Sequence, residues 1–205
     1  MRNSLKKFAA IAAVIAMALA LTGCVPEKRS GAENYDKSYY IGKYGGDLDS
    51  NLSVFPDSVE ESRVVLFESS FGEGLFDTDG YIILEYRCDD EQIAAEEERL
   101  GQLSMTIRHY DGQTFTNEVV YDDKSYQYPA YITNDGFDST YEYALIDREG
   151  GRIIYIYGAF VLPDGFPYKD YLKTDRSAYK KDSLKAFTVY NHSFDGGQSW
   201  DEFDD

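Results

Sequence analysis

Residues able to carry chemistry are sparse in this chain, and their spacing decides what they can do. His109 and His192 are the only imidazoles among 205 residues, and Cys24 and Cys88 the only thiols. A nucleophilic site needs Ser or Cys beside a base that a third group orients, and a zinc site needs His and Cys at short fixed spacings. The sequence has no Gly-x-Ser-x-Gly elbow, no His-Glu-x-x-His helix, no Cys-x-x-Cys pair and no glycine loop with a phosphate-binding Lys. The stretch Phe76-Asp77-Thr78-Asp79-Gly80 is half of a calcium loop. With Gly80 at the sixth position, Leu75 falls first and Tyr86 twelfth, where oxygen ligands are required, so it reads as a turn before a strand. No catalytic set, metal or cofactor is expected. The 37 acidic residues still offer carboxylate pairs of the kind a glycoside hydrolase uses, and separation in space is what diagnoses those.

Tyrosine is the most distinctive feature, with 19 in the chain. Tyr141 and Tyr143 share one face of a strand, and Tyr155 and Tyr157 share a face of the next. They are the candidate binding surface, for glycan or peptide, set against a plainer reading as core and cross-strand packing. Whether both pairs lie on one side of the sheet depends on register.

The elements that hold these residues read as follows. Arg63 to Glu68 and Tyr81 to Cys88 are strands rich in β-branched and aromatic residues. Asp89 caps a helix with Gln92 at capping-box spacing, Ile93, Leu100 and Leu103 form a narrow apolar stripe, and Glu96, Glu97 and Glu98 face mostly solvent. Strands follow at Ser104 to Tyr110, Glu118 to Tyr121, Tyr126 to Ile132, Thr140 to Ile146 and Arg152 to Val161, the last two joined through the hairpin connection Asp147 to Gly151. The fold class expected is α+β, a mostly antiparallel sheet with one main helix packed on it. Cys88, at the end of an apolar run, is expected as a buried core thiol.

The N-terminus has a basic start (Arg2, Lys6, Lys7) and an apolar run of fourteen residues from Phe8 to Leu21, shorter than the roughly 20 that a membrane-spanning helix needs. Leu21-Thr22-Gly23-Cys24 then resembles the lipobox of bacterial lipoproteins. The resemblance implies cleavage before Cys24, with lipid attached to its sulfur, and so a location on the outer face of the bacterial cytoplasmic membrane. Two acyl chains would make that anchoring stable. On this reading residues 1–23 are a signal peptide, 24–50 a lipidated Cys and a polar, Gly-rich flexible tether, 51–192 an α+β domain, and 193–205 a turn and acidic tail. Tyr35, Tyr39, Tyr40 and Tyr44 are unusual for a pure spacer and point to part of it docking on the domain or on cell-wall polymer.

Ser193-Phe-Asp195-Gly-Gly197-Gln-Ser199-Trp200 resembles the Asp-box of sialidases and related repeat proteins. That resemblance implies a structural turn in which Asp195 accepts backbone N–H bonds, Gly197 shapes the loop and Trp200 packs beneath. A chance match in a short tail is the other reading. The leader, the Tyr-rich strands and the Glu-rich helix together resemble small surface lipoproteins common in Firmicutes, which brings no activity with it.

Charge narrows the partners. The chain carries 20 basic and 37 acidic residues, a net charge of −17. Three of the basic residues and none of the acids lie before Cys24, leaving 17 against 37. Nucleic acid needs a basic footprint and is not an expected partner. Lys169 to Lys185 is locally basic, either balancing the acidic helix or facing an anionic polymer. The expected function is a lipid-anchored extracytoplasmic binding or interaction module, held to the membrane by its lipid, with a cell-wall glycan or an envelope protein as partner. A small cell-envelope glycan hydrolase and an accessory lipoprotein of a transporter or surface complex are the alternatives.

Overall fold

The computed structural model describes residues 26–45, 48, 50–73, 78–108, 114–123, 126–135 and 140–159. In chain order they form β1 (Glu27–Ser30), α1 (Lys37–Tyr44), β2 (Val64–Glu73), β3 (Thr78–Arg87), α2 (Asp90–Gly101), β4 (Ser104–Arg108), β5 (Thr114–Glu118), β6 (Val120–Asp122), β7 (Ala130–Asp135), β8 (Thr140–Asp147) and β9 (Arg152–Ala159). Seven strands make one sheet in the order β1-β2-β3-β9-β8-β7-β6, and β4 and β5 form a separate pair. Every pairing is antiparallel. The described part is therefore mostly β with some helix.

β3 and β9 lie side by side at the centre of the sheet, and their sequences show why. Ile82, Ile83 and Leu84 are successive, as are Ile153, Ile154, Tyr155, Ile156 and Tyr157, and all are at most 2% exposed. Unbroken apolar runs of this kind suit strands covered on both faces, where alternation would leave polar groups dry. The hairpin between β8 and β9 closes where the sequence indicates. Asp147 Oδ1 accepts the Gly150 N–H at 2.8 Å, and Gly151 takes a φ of +61°. A Cβ on Gly150 would meet Asp147 Oδ2 at 2.2 Å, so the turn needs glycine there.

α2 starts on the capping box anticipated. Asp89 Oδ1 accepts from Gln92 N at 2.9 Å and Gln92 Oε1 accepts from Asp89 N at 3.1 Å. Ile93 and Leu100, both fully buried, set the helix on the sheet. One expectation fails here: Glu96 turns inward, to Tyr155 and Arg99, and does not face solvent. β7 begins at Ala130, four residues later than expected at Tyr126, because Pro129 cannot donate to the ladder.

The flexible tether expected over 24–50 is overturned for the residues described. β1 pairs with β2 in register Glu27↔Phe71 to Ser30↔Glu68. α1 is capped by Asp36, which accepts from Tyr39 N, and it buries Tyr40 and Tyr44 at helical i, i+4 spacing. Tyr44 stacks on Phe71 with ring centroids 4.4 Å apart, and the Tyr40 hydroxyl meets Ser69 Oγ at 2.7 Å. The Gly and polar content of this stretch suggested a spacer, but its tyrosines bury enough surface to order it. The folded region thus begins before residue 51, and a second helix joins the one expected.

Candidate functional site

Between α1 and the 3-10 turn Glu61–Arg63 that leads into β2, the described residues cross the face of the sheet that carries both helices without forming a helix or strand. Leu48, Leu52, Val54 and Phe55 bury their side chains there to 1% exposure or less. Their peptide groups lack a ladder, so side chains must satisfy them. Tyr157 donates its hydroxyl to the Leu48 carbonyl at 2.7 Å, and Arg99 donates to the carbonyls of Ser53 and Val54 at 3.0 and 2.6 Å. Lys37 Nζ donates to the Phe55 carbonyl at 2.9 Å, and the Tyr35 hydroxyl to that of Pro56. Leu52 sits at φ +51°, the left-handed region that costs a non-glycine residue about 1 kcal/mol. Its N–H reaches Ser50 Oγ at 2.9 Å, and its buried side chain offsets the strain.

This segment roofs a cavity of about 370 Å³ whose lining includes Ser50, Asn51, Ser53, Ser104, Asn134 and Glu142. Glu142 stands on β8 opposite Tyr157 of β9 and Asn134 of β7, on the sheet face that holds the helices, and is 1% exposed. Its Oε1 accepts from Val54 N at 2.7 Å and from Ser53 Oγ at 3.3 Å, and its Oε2 accepts from Ser50 Oγ. Burial pushes the carboxyl above the usual Glu range. The hydrogen bonds pull the other way and only partly offset it. Beside the cavity, Glu96 Oε1 accepts from the Tyr155 hydroxyl at 2.8 Å and is paired with Arg99, tying α2 to both the sheet and the roof.

The candidate surface of four tyrosines needs correction. Tyr143, Tyr155 and Tyr157 are 1%, 2% and 0% exposed. The register sets Tyr143 opposite Ile156 and Tyr155 opposite Ala144, so the two pairs stand on opposite faces of the sheet. Three of the four have an internal use. Tyr143 packs on the Tyr126 ring at 4.9 Å, Tyr155 bonds Glu96, and Tyr157 bonds Leu48. Tyr141 is placed opposite Gly158 on the Tyr143 face.

Cys88 is a core thiol, 8% exposed and 3.7 Å from the Tyr86 carbonyl, with burial pushing it up to about 11. Cys24, Asp195, Gly197 and Trp200 lie outside the described residues, as do His109, His192, Asp77 and the basic stretch 169–185. Among the described residues no group of three or more His, Cys, Asp and Glu could hold a metal ion. The residues missed from sequence are Glu142 and its serines. One signal was available: position 142 shares its strand face with Ala144 and Ile146, where an acid interrupts an apolar stripe.

No protein-family model, curated protein or solved structure matches the chain.

Proposed function

We propose that the chain is a lipid-anchored extracytoplasmic binding module whose ligand site is the cavity over Glu142. The carrying observation is that cavity: a volume suited to a small molecule, lined by hydroxyl and amide side chains over one buried carboxylate. It replaces the tyrosine surface as the place for a ligand. Among the described residues the lining includes a single carboxylate, whereas glycoside hydrolysis uses two at about 5 to 10 Å, which favours binding over hydrolysis. An accessory protein would carry a contiguous apolar patch. The large exposed apolar side chains among the described residues are Ile41, Val65 and Tyr121, on α1, β2 and β6, and β2 and β6 lie towards opposite edges of the sheet.

Membrane attachment rests on the lipobox. Val25 and Pro26 alone separate Cys24 from the first strand residue, a reach of roughly 10 Å at about 3.5 Å per residue. A lipid on Cys24 would hold the β1 edge close to the bilayer, where a tether would have let the domain roam.

Both parts are tested on the full chain. Cys24→Ala, or globomycin, which blocks the lipoprotein peptidase, should move the protein out of the lipidated membrane fraction, and an unchanged fractionation and mass refutes the anchor. Small-molecule fractions of envelope extract should raise the melting temperature of the wild type and not of Asn51→Trp, which fills the cavity without touching the bonds of Glu142. Equal shifts in both would place any ligand elsewhere.

A further inference from the structure

The carboxylate of Glu142 is the most deeply buried in the described structure, and it has no cation. Glu85 and Asp147, 7% and 6% exposed, share Arg152 at 2.7 and 2.8 Å. Glu96, on the other side of the roof, has Arg99. Among the described residues Glu142 is met only by neutral donors: the Val54 N–H and the hydroxyls of Ser50 and Ser53, with the Thr133 hydroxyl close by. A buried carboxylate without a counter-charge costs several kcal/mol relative to water, and neutral hydrogen bonds recover only part of that. Among the described residues each of the other buried acids thus has a compensating Arg and this one, which lines the cavity, has none.

The carboxylate also has capacity left. An ionised Glu presents about four acceptor positions, and three are used, two on Oε1 and one on Oε2, while the nearby Thr133 hydroxyl donates to the Glu142 backbone carbonyl at 3.3 Å. Besides Leu103 and Gly45, the rest of the described lining carries the hydroxyls and amides of Ser50, Asn51, Ser53, Ser104, Thr133 and Asn134, which give and accept hydrogen bonds but bring no charge. A chain of net charge −17 raises the local concentration of cations and repels anions. A divalent metal ion would want several anionic oxygens, and among the described residues this lining includes one.

Resting on the reading of the cavity as the ligand site, we infer that it takes a small molecule bearing a protonated amine and several hydroxyl groups, the chemistry of an amino sugar, with Glu142 as its counter-ion. The ammonium takes the remaining acceptor position and the hydroxyls pair with the serine and asparagine side chains. A cavity of about 370 Å³ fits one such ring and not a long polymer. Binding is coupled to a proton. Burial favours the protonated carboxyl in the empty site, and a bound cation favours the ionised one, so the ligand expels a proton wherever Glu142 holds one. The titratable groups packed around Glu142 among the described residues are Tyr157 across the strand pair and Arg99 on the roof. Arg99 keeps its charge and is committed to the roof carbonyls and to Glu96.

The test is calorimetric titration of the full lipoprotein in detergent with glucosamine, N-acetylglucosamine and glucose, with Glu142→Gln and Asn51→Trp as controls. Glucosamine should bind the wild type about tenfold or more tighter than its neutral analogue, the worth of one charge-assisted hydrogen bond. The preference should disappear in Glu142→Gln. In mildly acidic buffers of different ionisation heat, glucosamine binding should release protons in the wild type and none in Glu142→Gln. Equal or tighter binding of N-acetylglucosamine or glucose, abolished by Asn51→Trp, overturns the cationic class and keeps the cavity. Glucosamine binding that survives both substitutions overturns the cavity as well. No binding of any of the three overturns the amino-sugar class.

Discussion

Glu142 and Tyr157 stand opposite one another on β8 and β9 and both reach the same irregular segment, Glu142 accepting the Val54 N–H and Tyr157 donating to the Leu48 carbonyl, each at 2.7 Å. One cross-strand pair thus holds both ends of the roof over the cavity. Tyr157→Phe removes the hydroxyl and leaves its ring near Phe71, at 6.3 Å, in place. The loss strands a buried carbonyl and should cost about 1 to 3 kcal/mol in urea unfolding, with the slope of the transition unchanged.

The pH dependence of stability should carry the mark of Glu142. Its folded-state carboxyl lies above the ordinary 4.5, so the folded protein holds this proton more tightly than the unfolded chain. That contribution is fully present below about 4.5 and is lost as pH rises through the folded value. Glu142→Gln should flatten the melting temperature across this window. A wild type whose melting temperature rises through the window as much as the variant's would show that the carboxyl titrates normally. Glu27, brought down to about 2 by its bonds to Lys43, Tyr39 and Tyr44, acts in the opposite sense, holding stability above 4.5 and losing it only towards pH 2.

Arg99→Ala should loosen the roof before it unfolds the domain. The guanidinium holds the carbonyls of Ser53 and Val54 while paired with Glu96, and hydrogen bonds from a charged donor contribute about 1.5 to 3 kcal/mol. Hydrogen exchange should accelerate at the amides of Val54 and Phe55 more than in β3 or β9. Uniform acceleration would mean that Arg99 supports global stability alone.

Tyr44→Ala tests whether the N-terminal region belongs to the fold. Removing a ring that stacks on Phe71 and is 3% exposed should cost about 3 kcal/mol or more. An unchanged melting temperature would return residues 27–45 to the role of a spacer.

Cys88 should resist thiol reagents in the native state and react on unfolding, since burial both hides the sulfur and pushes it up to about 11. Cys88→Ala should cost about 1 to 2 kcal/mol. Rapid labelling of the folded protein would contradict the buried position.

Much of the framework was legible because it is local. The capping box of α2 needs only Asp89 and Gln92 three residues apart, and the β8–β9 hairpin needs only Asp147 followed by its glycines. The central strands announced themselves as β-branched and aromatic runs. Misreadings came where local composition and tertiary packing disagree. Residues 27–45 look like a linker until Tyr40 and Tyr44 find Phe67 and Phe71 some thirty positions away. Glu96 belongs to an acidic run that suits solvent, yet the Tyr155 hydroxyl and Arg99 draw it inward.

By itself the sequence determined the type and order of most elements, the caps and turns between them, the acidic charge and the leader motif, because each depends on residues close in the chain. Tertiary structure alone decided which tyrosines are buried, since a register separates Tyr143 from Tyr155 and Tyr157 across the sheet. It alone made a site of Glu142, by bringing Ser50, Ser53 and Val54 to it across roughly ninety residues. Burial and distance set a carboxyl's chemistry, and neither is a property of its neighbours in sequence.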